Sequence, residues 1–390
     1  MLPAKEQDPS LPQKRTRKTR FICVADTHNL SPYQGGFKVP KGDVLIHAGD
    51  MTKQGTYGEL KKTVGWINKL LEDGVVERAI IIAGNHDLTL DPPFYASHGH
   101  NWHTQNPQDP ETCLSLFSKD SLHPAVTFLS HASEHIILTS PTGPKTHFNV
   151  FGSPYTPIHI TKVNDLCEGS RWAFQYAAHP SEESEDMWKG IPLDTDILVT
   201  HGPPYSHLDG YPVSATSVST GKLANTQLGC ESLRKTCWRV RPKLHVFGHI
   251  HEGRGCRRVM WRDGKHVTGM EEACACCHLE VEDGERISVG GEGESLSIGT
   301  TEMAERISSV THDHAQMEWI DPGAVDERIN GKMSSVDVTR RTRMFGGFGL
   351  RDGETLMVNA AIVKGKWPYG GVNKAVVVDL DLEVWGEDYT

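Results

Sequence analysis

The sequence predicts an α/β sandwich built on a mixed sheet. Three observations lead there. Short, β-branched apolar runs recur along the chain and stop abruptly at Asp, Asn or His. Segments of helical period lie between several of these runs, and the region from Val126 to Ser153 reads instead as consecutive strands. Nearly uninterrupted apolar runs are how strands covered on both faces read, and strands alternating with helices imply right-handed parallel crossovers.

The first run, "FICVADTH" from Phe21, ends at Asp26 and His28; the second, "DVLIHAGD", ends at Asp50. In "GELKKTVGWINKLLEDG", Leu60, Val64, Ile67 and Leu71 follow helical spacing, with Gly74 as the stop. The next run, "AIIIAGNHD", ends at Asn85, His86 and Asp87. The stretches "VTFLSH", "EHIILTS" and "THFNVFGS" are expected to form adjacent antiparallel strands, so the sheet is expected to be mixed. "DILVTHG" ends at His201; a helix carrying Cys230, Leu233, Cys237 and Val240 follows; and "KLHVFGHIHEG" ends at His249 and His251. Side chains two apart on a strand share a side, so these last two imidazoles converge. Taken alone, such a pair could bind a metal, cap a turn or lie at the surface.

The chain has 390 residues and a formal net charge of −10, which allows one large or two ordinary domains. That charge argues against general nucleic-acid or anionic-membrane binding, because both need a basic face. No apolar run approaches the roughly 20 residues of a membrane span, and no signal-peptide core opens the chain. A cytoplasmic protein is expected, and its nine cysteines are expected to be reduced thiols. Residues 1–20, ending in "KRTRKTR", read as a disordered basic tail; nuclear import or a nucleic-acid contact is the other reading of that run.

In an open α/β sheet the ligand site lies beyond the carboxyl ends of the strands, so the five polar clusters can meet in one crevice. Asp26, His28, Asp50, Asn85, His201, His249 and His251 are too many donors for one tetrahedral zinc but suit two ions sharing a carboxylate. Oxygen and imidazole donors without thiolate favour two divalent ions such as Mn²⁺, Fe or Zn²⁺. Two carboxylates against two such ions leave about two positive charges, a setting for phosphate. Ions ~3.5 to 4 Å apart can lower the pKa of a bridging water and clamp two phosphoryl oxygens.

The motifs "DTH", "GD", "GNHD", "THG" and "GHIH", in this order from Asp26 to His251, resemble the calcineurin-like metallophosphoesterase superfamily. "HAGDMT", "IAGNHDLTLD", "FGSPYTP", "LVTHGPP" and "RVRPKLHVFGHIHEG" are similar to its small metallophosphoesterase-domain-containing members. The resemblance implies a four-layer α/β/β/α sandwich of two mixed sheets. It also implies that Asp26, His28, Asp50 and His251 hold one ion, and that Asp50, Asn85, His201 and His249 hold the other. His86 would be the catalytic histidine, not a ligand, acting on the transition state or the leaving oxygen. Asp87 either orients His86 or only supports its loop.

The catalytic domain is expected over 21–253, followed by a partly disordered insertion over 254–357, polar and glycine-rich in "VEDGERISVGGEGESLSIGTTE". "ETLMVNAAIV" and "NKAVVVDLDLE", largely within the C-terminal 358–390 strands, are expected to rejoin the second sheet. "CACCH", Cys274 to His278, is either a structural zinc site or a set of ordinary reduced cysteines. His47, His207 and His245 read as packing or loop residues; His207 and Lys53 are also placed to touch substrate. The expected activity is metal-dependent hydrolysis of a small phosphoester by a hydroxide bridging the ions, with phosphodiesters such as cyclic nucleotides foremost. The alternatives are a phosphomonoesterase or protein phosphatase, and a non-catalytic metal-binding scaffold of the same fold.

Overall fold

In β1 (Thr16–Val24), Phe21 and Cys23 face one way, Ile22 and Val24 the other, and all four are fully buried. A strand apolar on both faces must be covered on both, which sets the layering of the molecule. The computed structural model describes residues 15–158, 171–177, 181–212, 225–261, 335–337, 353–365 and 371–386. The next strands are β2 (Val44–Ala48), β3 (Arg78–Ile82), β4 (Val126–Leu129), β5 (Ala132–Ile137) and β6 (His147–Ser153). Two short pairs follow, β7 (Thr156–Pro157) with β8 (Gln175–Tyr176), and β10 (Gly210–Pro212) with β11 (Asn225–Gln227). The remaining strands are β9 (Ile197–Thr200), β12 (Leu244–Phe247), β13 (Gly255–Met260), β14 (Ser335–Asp337), β15 (Glu354–Asn359) and β16 (Val376–Glu383). The helices are α1 (Tyr57–Glu72), α2 (Pro92–Trp102), α3 (Pro110–Ser115), α4 (Glu182–Lys189) and α5 (Glu231–Val240).

Two six-stranded mixed sheets result, in the orders β14-β16-β1-β2-β3-β4 and β13-β15-β12-β9-β6-β5. Phe21, Ile46 and Ile80 of the first sheet meet Phe148, Val199, Val246 and Val358 of the second in an apolar seam between them. On the outer face of the first sheet, Ile22, Leu45 and Ile81 take the apolar side of α1 (Leu60, Val64, Ile67, Leu71). On the outer face of the second, Leu198, Phe247 and Met357 take Trp188 of α4 and Leu233, Cys237 and Val240 of α5. The four-layer sandwich that the motifs implied is therefore present. Thr56 and Glu59 close a capping box at the start of α1, and Gly74, with φ 64°, lies just beyond its end.

Three expectations about strands need correction. "VTFL" and the following strand are not a hairpin: β4 joins β3 in parallel in the first sheet, while β5 pairs antiparallel with β6 in the second. The chain changes sheets across Ser130 and His131, the latter turned into the left-handed region at φ 52°. Only β15 of the two C-terminal runs enters the second sheet; β16 lies antiparallel to β1 in the first. That pairing also corrects the tail. Thr16 to Arg20 belong to β1, where Lys18 stands opposite Asp381 and Arg20 opposite Asp379, so the end of the basic run faces acidic residues of β16.

The segment assigned to the insertion likewise begins with an ordered edge strand, β13, antiparallel to β15. "CACCH" and the glycine-rich stretch lie outside the described residues. Cys23, Cys113, Cys230, Cys237 and Cys256 are buried free thiols. Among the described residues no helix is long and apolar enough to cross a membrane.

Candidate metal centre

β1, β2 and β3 are parallel neighbours, as are β9 and β12 in the facing sheet. Their carboxyl ends therefore open into one place, and all seven candidate donors gather there. Backbone hydrogen bonds lock the ends together: Asp26 N donates to Gly49 O (2.9 Å), His28 N to Asp50 O (3.1 Å) and Gly248 N to His201 O (3.0 Å). Four of the donor residues leave the strand conformation altogether, with φ of 51° at Asp26, 41° at His28, 50° at Asp50 and 65° at His249. A non-glycine residue held there costs about 1–3 kcal/mol, and such strain clusters at functional sites. Two glycines make room for the carboxylates. A Cβ on Gly248 would collide with Asp26 Oδ2, and one on Gly84 with Asp50 Oδ1.

The donors form two arms. In the first, His251 Nε2 lies 3.3 Å from both Asp26 Oδ1 and His28 Nε2. In the second, Asn85 Oδ1 lies 2.8 Å from both His201 Nε2 and His249 Nδ1. Asp50 spans them: Oδ2 is 3.9 Å from His28 Nε2, and Oδ1 is 3.3 Å from His201 Nε2. His249 thus lies in the second arm and His251 in the first.

Backbone carbonyls orient three of the rings. His28 Nδ1 faces Thr52 O (3.2 Å), His201 Nδ1 faces Ala48 O (3.0 Å) and His251 Nδ1 faces Gly365 O (2.8 Å). A carbonyl only accepts, so each Nδ1 carries the proton and each Nε2 turns toward the centre, the orientation a metal-ligating imidazole needs.

The donor set asks for positive charge in each arm. Burial disfavours charging His251, but Asp26, Gly365 O and Asp50 outweigh it and lift the ring to about 9. Burial likewise opposes a charge on His201, and Asp50, Asp26 and Ala48 O outweigh it, again to about 9. Burial, opposed by Asp50 and Asp26 and assisted by His86 and His251, pushes His28 down to about 4. Two carboxylates, four imidazoles and one amide oxygen, gathered in two arms that share Asp50, are a donor set that fits two divalent ions.

His86 lies beside this centre, its Nε2 4.0 Å from Asp50 Oδ2. Its backbone N–H donates to Asp50 Oδ1 (2.8 Å), and its Nδ1–H to Lys53 O (2.8 Å). Asp87 does not orient that ring. Its carboxylate accepts from Gly84 N (2.8 Å), Met51 N (3.2 Å), Thr52 N (2.9 Å) and Thr52 Oγ1 (2.7 Å), bracing the loops that carry Asp50 and Asn85. Burial first, then the nearby Asp50 charge, raises it to about 7.

A family model described as calcineurin-like phosphoesterase matches residues 19–253. The chain belongs to the calcineurin-like phosphoesterase family. Among curated relatives, it is 35% identical over 238 residues to metallophosphoesterase domain-containing protein 1 of Homo sapiens, covering 61% of this chain and 62% of that one. UPF0046 protein K07C11.7 of Caenorhabditis elegans is 29% identical over 246 residues, 63% of this chain and 68% of that protein. Probable rhamnogalacturonate lyase C of Emericella nidulans is 37% identical over 245 residues, which are 62% of this chain but 18% of that protein. The chain thus spans less than two thirds of the length of the first of these relatives. Among solved structures, purple acid phosphatase PPD1 of yellow lupin aligns with a TM-score of 0.31 at 12% identity, over 63% of this chain and 39% of that one.

Around the centre lie the other side chains that the sequence singled out, and one that it did not. Lys53 enters through its carbonyl, on His86. His207 is buried, with its ring 5.9 Å from that of Trp261, a packing position. His47 bonds Thr27 Oγ1 (2.9 Å) and His245 bonds Thr200 Oγ1 (2.8 Å), both as buried packing residues. Trp172 was missed: its ring lies 3.9 Å from that of His86. Nothing periodic in "SRWAFQY" marks it.

Proposed function

We propose that this chain hydrolyses small phosphodiesters, with cyclic nucleotides as the first class to test. The observation that carries the reading is the convergence of two donor arms on Asp50 with His86 alongside. Two divalent ions, held by Asp26, His28, Asp50 and His251 and by Asp50, Asn85, His201 and His249, would supply Lewis-acid polarisation of the phosphoryl group and of the attacking water. Asp26 and Asp50 set against two such ions leave about two positive charges. A diester monoanion and one hydroxide neutralise them, whereas a monoester dianion exceeds them; that count favours the diester.

The chain's own residues do the rest. Asp50, with its two oxygens directed to opposite arms, fixes the spacing at which substrate oxygens are gripped. His86, its Nδ1 proton committed to Lys53 O, presents Nε2 to the centre and there stabilises charge on the phosphoryl oxygens or gives a proton to the leaving oxygen. Such acid catalysis is worth roughly 10²–10⁴ in rate.

The test is a Mn²⁺ titration of the wild type, His249→Ala and His251→Ala, followed by hydrolysis of bis-p-nitrophenyl phosphate and of cyclic nucleotides. Two separable binding events are expected in the wild type, with one site preferentially weakened in each variant and activity partly restored by excess Mn²⁺. A single event damaged equally by both substitutions would sink the dinuclear reading. Turnover of p-nitrophenyl phosphate with no turnover of any diester would overturn the substrate class.

A further inference from the structure

The rings around His86 form a ladder. On the inner side His28 meets it edge-on, ring centroids 4.6 Å apart at 80°. On the outer side the Trp172 indole lies over it, 3.9 Å between centroids and inclined by 35°. Behind Trp172 stands Trp102, the last residue of α2, at 4.2 Å and 46°. His86 is thus held between a candidate ligand and an indole, while its Nδ1–H donates to Lys53 O.

The segment that carries Trp172 is itself fastened to the His86 loop. Ala173 N donates to Asn85 O (3.3 Å), and Phe174 N to the Asp91 carboxylate (2.8 Å) that also caps α2 through Phe94 N (3.1 Å). Phe174 O accepts from Thr156 N (3.0 Å), joining the segment to β7. Phe174 holds φ 56°, so the backbone is turned out of the extended region two residues after Trp172. Trp172 N donates to Gln175 Oε1 (2.9 Å). An indole anchored on both sides is a fixed wall.

We propose that Trp172 is the positioning residue for His86, holding the imidazole in the one rotamer that satisfies Lys53 O and points Nε2 into the centre. Without the indole, the outer face of the ring is open and the side chain gains the freedom to swing away from Lys53 O. A misplacement on the order of 1 Å is enough to cost roughly 100-fold in a reaction that depends on alignment. The inference rests on the hydrolase reading only for its kinetic consequence; the stacking itself has a separate readout.

The experiment compares wild type, Trp172→Leu, Trp172→Phe, His86→Ala and the His86→Ala/Trp172→Leu double variant, each assayed for metal stoichiometry and for kcat and KM on bis-p-nitrophenyl phosphate. Trp172→Leu is expected to keep both ions, to leave KM within about twofold, and to lower kcat by roughly 10- to 100-fold. Trp172→Phe, which restores a flat face, should recover most of that loss. In the His86→Ala background the Leu substitution should cost nothing further, because the two residues act as one unit. An equal loss with and without His86 would overturn the assignment, and so would full activity in Trp172→Leu.

The second readout is the NMR signal of the His86 ring, assigned by its disappearance in His86→Ala. In the wild type the Trp172 ring current should displace it from its unfolded position, and Trp172→Leu should remove most of that displacement. A wild-type signal at the unfolded position would overturn the stacking even if Trp172→Leu failed to fold. A wild type that keeps the displaced signal but hydrolyses no phosphoester would remove the hydrolase reading and leave Trp172 as the wall that holds His86.

Discussion

At Asp50 the electrostatics of the centre reduce to one side chain. Burial works against its charge, but His201, His86 and His28 around it hold the carboxyl well below the usual range. Its Oδ2 faces His28 in one arm and its Oδ1 faces His201 in the other, so Asp50→Asn removes charge from both at once. The expected outcome is a loss of Mn²⁺ affinity on the order of 10-fold or more at each site, with protein that is still folded. Stoichiometric retention of two ions by the variant, measured by metal analysis after dialysis, would count against the shared carboxylate. The seven donors were legible in the sequence for a physical reason: side chains at the carboxyl ends of neighbouring parallel strands have one crevice to enter. What Asp87 and Trp172 do was not legible. Whether a buried carboxylate reaches the ring beside it or the amides of Gly84, Met51 and Thr52 depends on the path of two loops. Trp172 reaches His86 from 86 positions further along the chain, through a segment with no periodic signal.

Among the elements, β1 shows how pairing can reverse a compositional reading. Its first residues look like a solvated basic tail, yet they lie in register with the alternating acids of "VVVDLDLE". Arg20 closes a bidentate pair on Asp379, Nε to Oδ1 at 2.7 Å and Nη2 to Oδ2 at 2.8 Å. The arginine is 48% exposed and the aspartate 5%, so the carboxylate bears the desolvation while the guanidinium keeps part of its water. Arg20→Ala would leave that carboxylate buried beside the sheet without its fork. The expected cost is about 1–2 kcal/mol, read as a lower urea midpoint with unchanged slope. Arg20→Lys should recover only part of it, because an ammonium cannot match both oxygens. Full stability in Arg20→Ala would show that the ladder alone holds the two strands together. The sheet to which β16 belongs could not be read from its alternation, which fits either sheet equally; the partner charges on β1 carried that information.

For the whole molecule, the four-layer packing places titratable rings where they cannot take a proton. His245, on β12 between the second sheet and α5, bonds Thr200 Oγ1 at 2.8 Å and meets Cys237 Sγ at 3.5 Å. Burial lowers it from 6.5 to about 3. His47, on β2 against α1, is lowered to about 4, with burial opposed only in part by Asp26 and Asp50. The sign follows from proton counting. In the unfolded chain each ring binds its proton as pH falls through 6.5, whereas the folded chain does not bind it until far lower, so acid favours the unfolded state across that interval. For His245 the interval runs from about 6.5 to about 3. The stability loss there is about 1.4 kcal/mol per pH unit, or about 2 kcal/mol between neutral pH and pH 5. His245→Gln keeps a polar partner for Thr200 and removes the titration. Urea unfolding of wild type and variant at pH 7 and pH 5 isolates the term, since the metal ligands titrate equally in both and cancel in the comparison. The wild type should lose more stability than the variant on acidification, by a margin that grows as pH falls. Identical pH dependence in the two proteins would mean that His245 is protonated within the fold, and that the layer between β12 and α5 admits charge.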